Sequence, residues 1–255
     1  MAPITVDGLD IDDATIDGDV VDEITMDGDV VFQASTIPDS GLVQDHNALA
    51  QDFDDGETIP TLEDQVGNNN LSAEESPTGV SEGINGRQAI ELTDSDRFTG
   101  DGPDYSGSFT TAAVVELKSL SEELMIALLT GTVEDTDGGW RFKPRGDESP
   151  STWEFTSNGV TAHKGTQDPL DSPAVLVQSY NEDDNTHVLD VNGQEIINTT
   201  ENSWVENYSK LTVGSRDGDA GQSNHLLGRL LLYNEFYDDD GRSEIYDALA
   251  NEWGF

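Results

Sequence analysis

HLLGRLLLYNEFYDDDGRSEIYDALANEWGF, residues 225–255, changes its period halfway through. Residues 225–237 form a dense apolar run with aromatics, of the length and composition of a buried strand. After three aspartates the pattern changes. Ile245, Leu249 and Trp253 recur at i, i+4 and i+8, which is one face of a helix. An aspartate of 238–240 or Ser243 can cap its start, and Gly254 sits at its end. The reading is one short amphipathic helix closing a β domain.

Upstream, loops rich in Asp, Asn, Gly and Ser alternate with short apolar runs. SFTTAAVVELKS (108–119), WRFKPR (140–145), STWEFTSNGV (151–160), AVLVQSY (174–180), THVLDVNGQEIINTT (186–200) and SKLTVGSR (209–216) all read as strands. LMIALLTGT (124–132) has the apolar density of a helix, but its length and the following Thr-Gly-Thr favour a buried strand. Asn192-Gly193 predicts a tight turn joining strands at 186–191 and 194–198. Many strands at short spacing predict an all-β sandwich of two antiparallel sheets over residues 41–255.

Residues 1–40 are different. Asp7-Gly8, Asp17-Gly18 and Asp27-Gly28 recur every ten residues between apolar, often β-branched positions, with Val30 and Phe32 following the last. Asp-Gly in that setting is a hairpin signal, because type I′ turns need positive φ at both central residues. The expected strands lie near 4–6, 9–11, 15–16, 19–21, 24–26 and 29–32. Three such hairpins bury little core. The segment is either a loose acidic leader or an arm that completes its sheet on neighbouring chains. STIPDSG (35–41) reads as the connector.

The chain carries 53 acidic and 11 basic residues, for a net charge of −42. The acids are spread among Val, Ile, Leu, Trp and Tyr, unlike a disordered acidic tail. Molar salt shortens the Debye length to about 3 Å, so such a surface suits a high-salt, haloarchaeal cytoplasm. Phosphates would be repelled and there is no basic stripe, which argues against nucleic acid as a partner. There is no cysteine, so no disulfide or thiolate site. No apolar run approaches the roughly 20 residues of a membrane span, so no membrane insertion is expected. The acidic N-terminus does not read as a signal peptide. The expected location is therefore inside the cell, or a particle assembled in the cytoplasm.

GLVQDHNALAQDFDDGETIPTLEDQVGNNNLSA (41–73) resembles the opening of concanavalin A-like (LamG-type) jelly-roll domains, where a Gly-Asn run makes a turn. INGRQAIELTDSDRFTG (84–100) is similar to that family's next strand pair. SFTTAAVVELKS resembles its long central strand, and 226–255 its final strand and helix. The resemblance covers about 41–255 and implies a concanavalin A-like jelly roll. ITMDGDVVFQASTIPDSGL (24–42) resembles N-terminal segments of structural proteins of haloarchaeal tailed viruses. That resemblance implies a virion protein: a capsid decoration or turret, or a tail-fibre or baseplate component. The arm (Asp7, Gly8, Asp17, Gly18, Asp27, Gly28, Val30, Phe32) would engage other virion proteins. The jelly roll, in a homo-oligomer, would face host surface glycans or an S-layer.

Catalysis is not expected. Glycosidases pair two carboxylates across the scissile bond. No Glu-x-Asp-x-Glu-like stretch is present, and Glu116 and Glu154 each stand alone on their strands. The four histidines are scattered without zinc-ligand spacing. No cofactor is required by the sequence. Oxygen-rich loops at Asp52, Asp54 and Asp55, at 64–70, and at Asp217 and Asp219 could hold Ca2+ or another cation, although an acid-rich chain makes such loops by composition alone. Trp140 and Trp153 flank Arg141, Lys143 and Arg145, a local aromatic and basic cluster that could grip an acidic glycan. The competing reading puts both tryptophans in the core. The alternative function is a cellular carbohydrate-binding module or glycoside hydrolase of a halophile.

Overall fold

A computed structural model of the chain describes residues 5–6, 9–10, 23–26, 29–33, 36–105, 107–118, 127–130, 139–145, 152–157, 161–164, 172–200, 208–214 and 223–255. The strand Phe109–Leu117 shows how the sandwich is built. All of its residues except Glu116 are buried, which requires cover on both faces. It pairs antiparallel with Ala174–Asn181 on one side and Ser223–Tyr233 on the other. Around that centre the first sheet runs Gln194–Thr200, Thr186–Val191, Ala174–Asn181, Phe109–Leu117, Ser223–Tyr233, Ala89–Asp94, Thr78–Val80. Leu42–Asn47 also pairs with Ser223–Tyr233.

The second sheet runs Thr161–Lys164, Thr152–Ser157, Gly139–Arg145, Ala127–Thr130, Tyr208–Gly214, Arg97–Tyr105, Leu71–Glu74, Thr61–Leu62. Phe98, Leu71, Leu211 and Val213 from this sheet share one core with Ala113, Val115, Leu176 and Leu230 from the first. Two polar side chains cross between the layers. Gln44 Nε2 donates to the Asp101 carbonyl at 2.9 Å, and His46 Nδ1 lies 3.2 Å from the Glu63 carbonyl.

The helix Asp239–Trp253 covers the outer face of the first sheet, against Phe109–Leu117 and Ala174–Asn181. Ile245, Leu249 and Trp253 are its buried stripe. Asp238 caps it, accepting from the Gly241 amide at 3.1 Å, and Gly254 ends it with φ 75°. Two arginines fasten it. Arg242 reaches Asp190 at 2.7 Å, and Arg229 of the last strand reaches Glu252 at 2.6 Å.

The expected all-β jelly roll of two antiparallel sheets with a short C-terminal helix is thus what forms. The turn at Asn192-Gly193 has φ 50° and 71°, and joins Thr186–Val191 to Gln194–Thr200 as expected. Two details differ. The final strand stops at Tyr233, and Asn234 N donates to the Gly41 carbonyl at 2.8 Å. Ala89–Asp94 and Arg97–Tyr105, a pair by resemblance, lie in different sheets. The cause is Asp96, whose carboxylate takes Thr93 N, Thr93 Oγ1 and Ser76 N between 2.9 and 3.1 Å. That turn sends the chain across the sandwich.

In the first 40 residues Thr5–Val6 pairs with Leu9–Asp10, and Glu23–Met26 with Asp29–Gln33, both antiparallel. These ladders agree with hairpins around the first and third Asp-Gly. Positions 15–16 and 19–21, also read as strands, lie outside the described residues.

Candidate functional site

Asp64 organises one end of the sandwich. Its carboxylate accepts from the amides of Asp45 (3.0 Å), Val66 (3.1 Å) and Asn69 (3.2 Å). Burial alone would push its pKa up, but these amides and that of Gly67 outweigh it and hold the carboxyl below the ordinary aspartate range. Asn70 Oδ1 closes the loop by accepting from Asp64 N at 2.9 Å. The Gly-Asn run is therefore a loop wound around a carboxylate. Its oxygens face backbone amides in the positions a cation would need.

The loop 52–57 is braced in a similar way. Asp55 Oδ1 accepts from Ser81 N at 3.1 Å, and Glu57 Oε2 accepts from Asp54 N at 3.0 Å. Gly56 N donates to the Gly79 carbonyl and Gly79 N to the Glu57 carbonyl, both at 2.8 Å, and the Phe53 ring fills the space a side chain at Gly79 would need. Asp52, Asp54 and Asp55 are all exposed. Among the described residues no group of three or more acidic or histidine side chains could hold a metal ion. Asp217 and Asp219 lie outside the described residues.

Two clefts flank this loop. A groove of about 520 Å³ is lined by Gln51, Asp52, Phe53, Glu57, Ile59, Thr61 and their neighbours. A smaller cleft of about 360 Å³ lies between Asp55–Gly56, Thr78–Val80, Glu91 and Lys118, with Leu226 also lining it. The groove is floored by buried Phe53 and Ile59 and walled by Pro60, hydroxyls of Thr58 and Thr61, and three carboxylates. That mixture of apolar wall and convergent polar groups can bind a small polyol.

Of the aromatic and basic cluster, only the Trp153 side chain lies among the described residues. Trp140 stands opposite Ser157, and Trp153 opposite Pro144. The two tryptophans are thus four residues apart along the ladder, about 13 Å. Trp153 is only 2% exposed and belongs to the core, so its ring offers no face to a sugar. The backbone register puts positions 141, 143 and 145 out of phase with Pro144, hence on the sheet face opposite Trp153. The side chains of Trp140, Arg141, Lys143 and Arg145 lie outside the described residues.

In the arm, Val30 pairs with Thr25 and Phe32 with Ile24. Asp7, Gly8, Asp17, Gly18, Asp27 and Gly28 lie outside the described residues.

His46 and His225 are fully buried, and burial lowers both pKa values, that of His225 to about 4. They are neutral core residues. Sequence reasoning marked the loop 64–70 but not the amide-binding role of Asp64, and it missed Asp96 and the buried arginines. Each is one acid or base among many, and only its depth sets it apart.

No protein-family model matches the chain, and no curated protein matches its sequence. Its shape does match solved structures. One is a Trypanosoma rangeli sialidase in complex with sialic acid, 16% identical over 85% of this chain and 34% of that one, with TM-score 0.58. A second is domain 4 of AbnA, a GH43 extracellular arabinanase from Geobacillus stearothermophilus, in complex with arabinotriose. It is 14% identical over 76% of this chain and all of that domain, with TM-score 0.59. The third is the binding domain of Paraclostridial Mosquitocidal Protein 1, 14% identical over 83% of this chain and 53% of that one, with TM-score 0.59. The chain spans about a third of the sialidase. At these identities the likeness establishes the fold alone: a jelly-roll β-sandwich.

Proposed function

We propose that the chain is a non-enzymatic, glycan-binding structural subunit, in which the jelly roll binds sugars and residues 1–40 attach it to an assembly. The observation that carries the sugar reading is the 520 Å³ groove beside Phe53 on this fold. The similarly shaped arabinanase domain, matched over its whole length, holds arabinotriose. Binding needs no cofactor or metal here, since loop acids such as Asp55 and Asp64 are spent on backbone amides.

The assembly is read as the virion of a haloarchaeal tailed virus, with the subunit on its capsid or tail. What supports this is the acid-rich composition, the Asp-Gly repeat and its resemblance to such proteins. The paired ladders in the first 40 residues suit strand addition to neighbouring virion proteins, or to other copies in a symmetric oligomer. The sugar partner would then be a host surface glycan or glycosylated S-layer.

Mass measurement and hydrogen exchange on the full chain in molar KCl test the assembly role. The expected result is a symmetric oligomer with protected amides in residues 1–40. A monomer whose first 40 residues exchange at once would refute self-assembly through the arm. A titration with neutral oligosaccharides tests the sugar role. Failure to bind any would remove it.

A further inference from the structure

A third cleft, of about 340 Å³, lies where the connector meets the end of the final strand. It is lined by Ser40, Glu235, Phe236, Tyr237 and Asp238. Its walls are fixed in advance. Tyr237 N donates to Thr110 Oγ1 at 3.0 Å, and its hydroxyl donates to the Ser40 carbonyl at 2.8 Å. The Tyr237 ring meets Tyr233 edge-on at 5.1 Å and occupies the space a side chain at Gly241 would need. Glu235 lies over Gly41, whose missing β-carbon gives its carboxylate room. Asp238 is held by the Gly241 amide at 3.1 Å.

Phe236 is the unusual member. Tyr237, beside it, packs against the hydrophobic core, whereas Phe236 stands outside that core and is only half-buried. An aromatic kept out of the core, in a cleft that two carboxylates also line, is the chemistry of sugar recognition. The ring face takes the apolar C–H face of a pyranose, and carboxylate oxygens accept from neighbouring hydroxyls.

We propose that this corner cleft is a second glycan subsite, selective for neutral hexoses or N-acetylhexosamines. The proposal rests on the reading of the chain as a glycan binder. The selectivity follows from Glu235 and Asp238. An anionic sugar would have to lose water beside two carboxylates. Salt screens charges across solvent, but it does so poorly at contact, where no ion fits between.

The test is equilibrium titration of the full chain in molar KCl with mannotriose and chitotriose, and with 3′-sialyllactose as the anionic comparison. The expected result is two sites per chain for at least one neutral probe, and at least about tenfold weaker binding of the sialylated one. Phe236→Ala should remove one site and leave the other unchanged, with an unaltered unfolding midpoint. Phe236→Tyr should keep both. If Phe236→Ala titrates like the unchanged chain, the corner cleft is not a subsite, while the groove reading stands. If the unchanged chain binds one equivalent and Thr61→Trp in the groove abolishes it, the corner proposal likewise fails. Tighter binding of the sialylated probe overturns the selectivity. No binding by the unchanged chain overturns both readings together.

Discussion

Trp253 presses its six-membered ring against the backbone of Gly228. A β-carbon at Gly228 would stand 2.7 Å from Cη2 of the indole and 2.8 Å from Cζ3. The glycine in the middle of an apolar strand is there so that the closing helix can approach. Gly228→Ala should therefore cost about 2 kcal/mol, the usual range of overpacking. Trp253→Ala should cost about 4 kcal/mol through the cavity it leaves. Denaturant unfolding in molar KCl measures both. An unchanged midpoint for Gly228→Ala would mean the helix shifts freely.

Beside that contact, Arg229 binds both oxygens of Asp45, at 2.9 and 2.6 Å, and Glu252 at 2.6 Å. Arg229 and Asp45 are buried. Arg229→Leu leaves two carboxylates facing each other and should cost about 4 kcal/mol. Buried pairs are little screened, so the loss should be similar across the salt range in which the chain folds. A loss that vanished at high salt would identify this as an ordinary surface pair.

Gln178 presents the opposite case. It is fully buried on the central sheet opposite Thr111, and neither end of its amide has a hydrogen-bond partner among the described residues. Gln178→Met keeps the volume and removes the desolvated amide, so it should raise stability by about 1 kcal/mol. If it lowers stability, a buried water links Gln178 to its surroundings, and that water should be found.

Acid should act through His225, on the final strand opposite Leu117 and Leu92. Burial lowers its pKa from 6.5 to about 4. The unfolded chain binds the proton first, so stability is complete above pH 6.5 and falls as the pH drops toward 4. The loss over that window is about 3 kcal/mol. His225→Leu should flatten this part of a stability-against-pH curve. An equally steep curve in the variant would assign the acid sensitivity elsewhere, with His46, also lowered by burial, the next to test.

Asp64→Ala removes the acceptor of three amides and should cost about 3 kcal/mol, at about 1 kcal/mol or more for each bond to a charged group. Hydrogen exchange should quicken at Asp45, Val66 and Asn69, the donors to that carboxylate. EDTA should change neither this exchange nor the unfolding midpoint of the unchanged chain. A midpoint that falls with EDTA and recovers with Ca2+ would show that an ion does stabilise the protein.

Most of the architecture was legible because it depends on local pattern. Phe109–Leu117 and Ala174–Asn181 are continuous apolar runs, Asn192-Gly193 is a turn dipeptide, and Ile245, Leu249 and Trp253 mark a helix face. The site was far less legible. Arg141, Lys143 and Arg145 are neighbours of Trp140 and Trp153 in the text, but strand pleating puts alternate positions on opposite faces, and Trp153 faces the core. The acids could not be sorted at all, because Asp64 and Asp54 look alike in a chain with 53 of them. One is wrapped by amides and the other is exposed.

The sequence by itself determined which segments are strands, where the hairpin turns, and which residues of the closing helix face inward. These follow from the period of apolar residues and from backbone preferences within a few positions. Only the tertiary structure decided that Ala89–Asp94 and Arg97–Tyr105 part into different sheets, that Asp45 meets Arg229, and that Ser40 meets Tyr237. Those last two contacts join residues nearly 200 positions apart, and their strength comes from burial, a property no local stretch of sequence possesses.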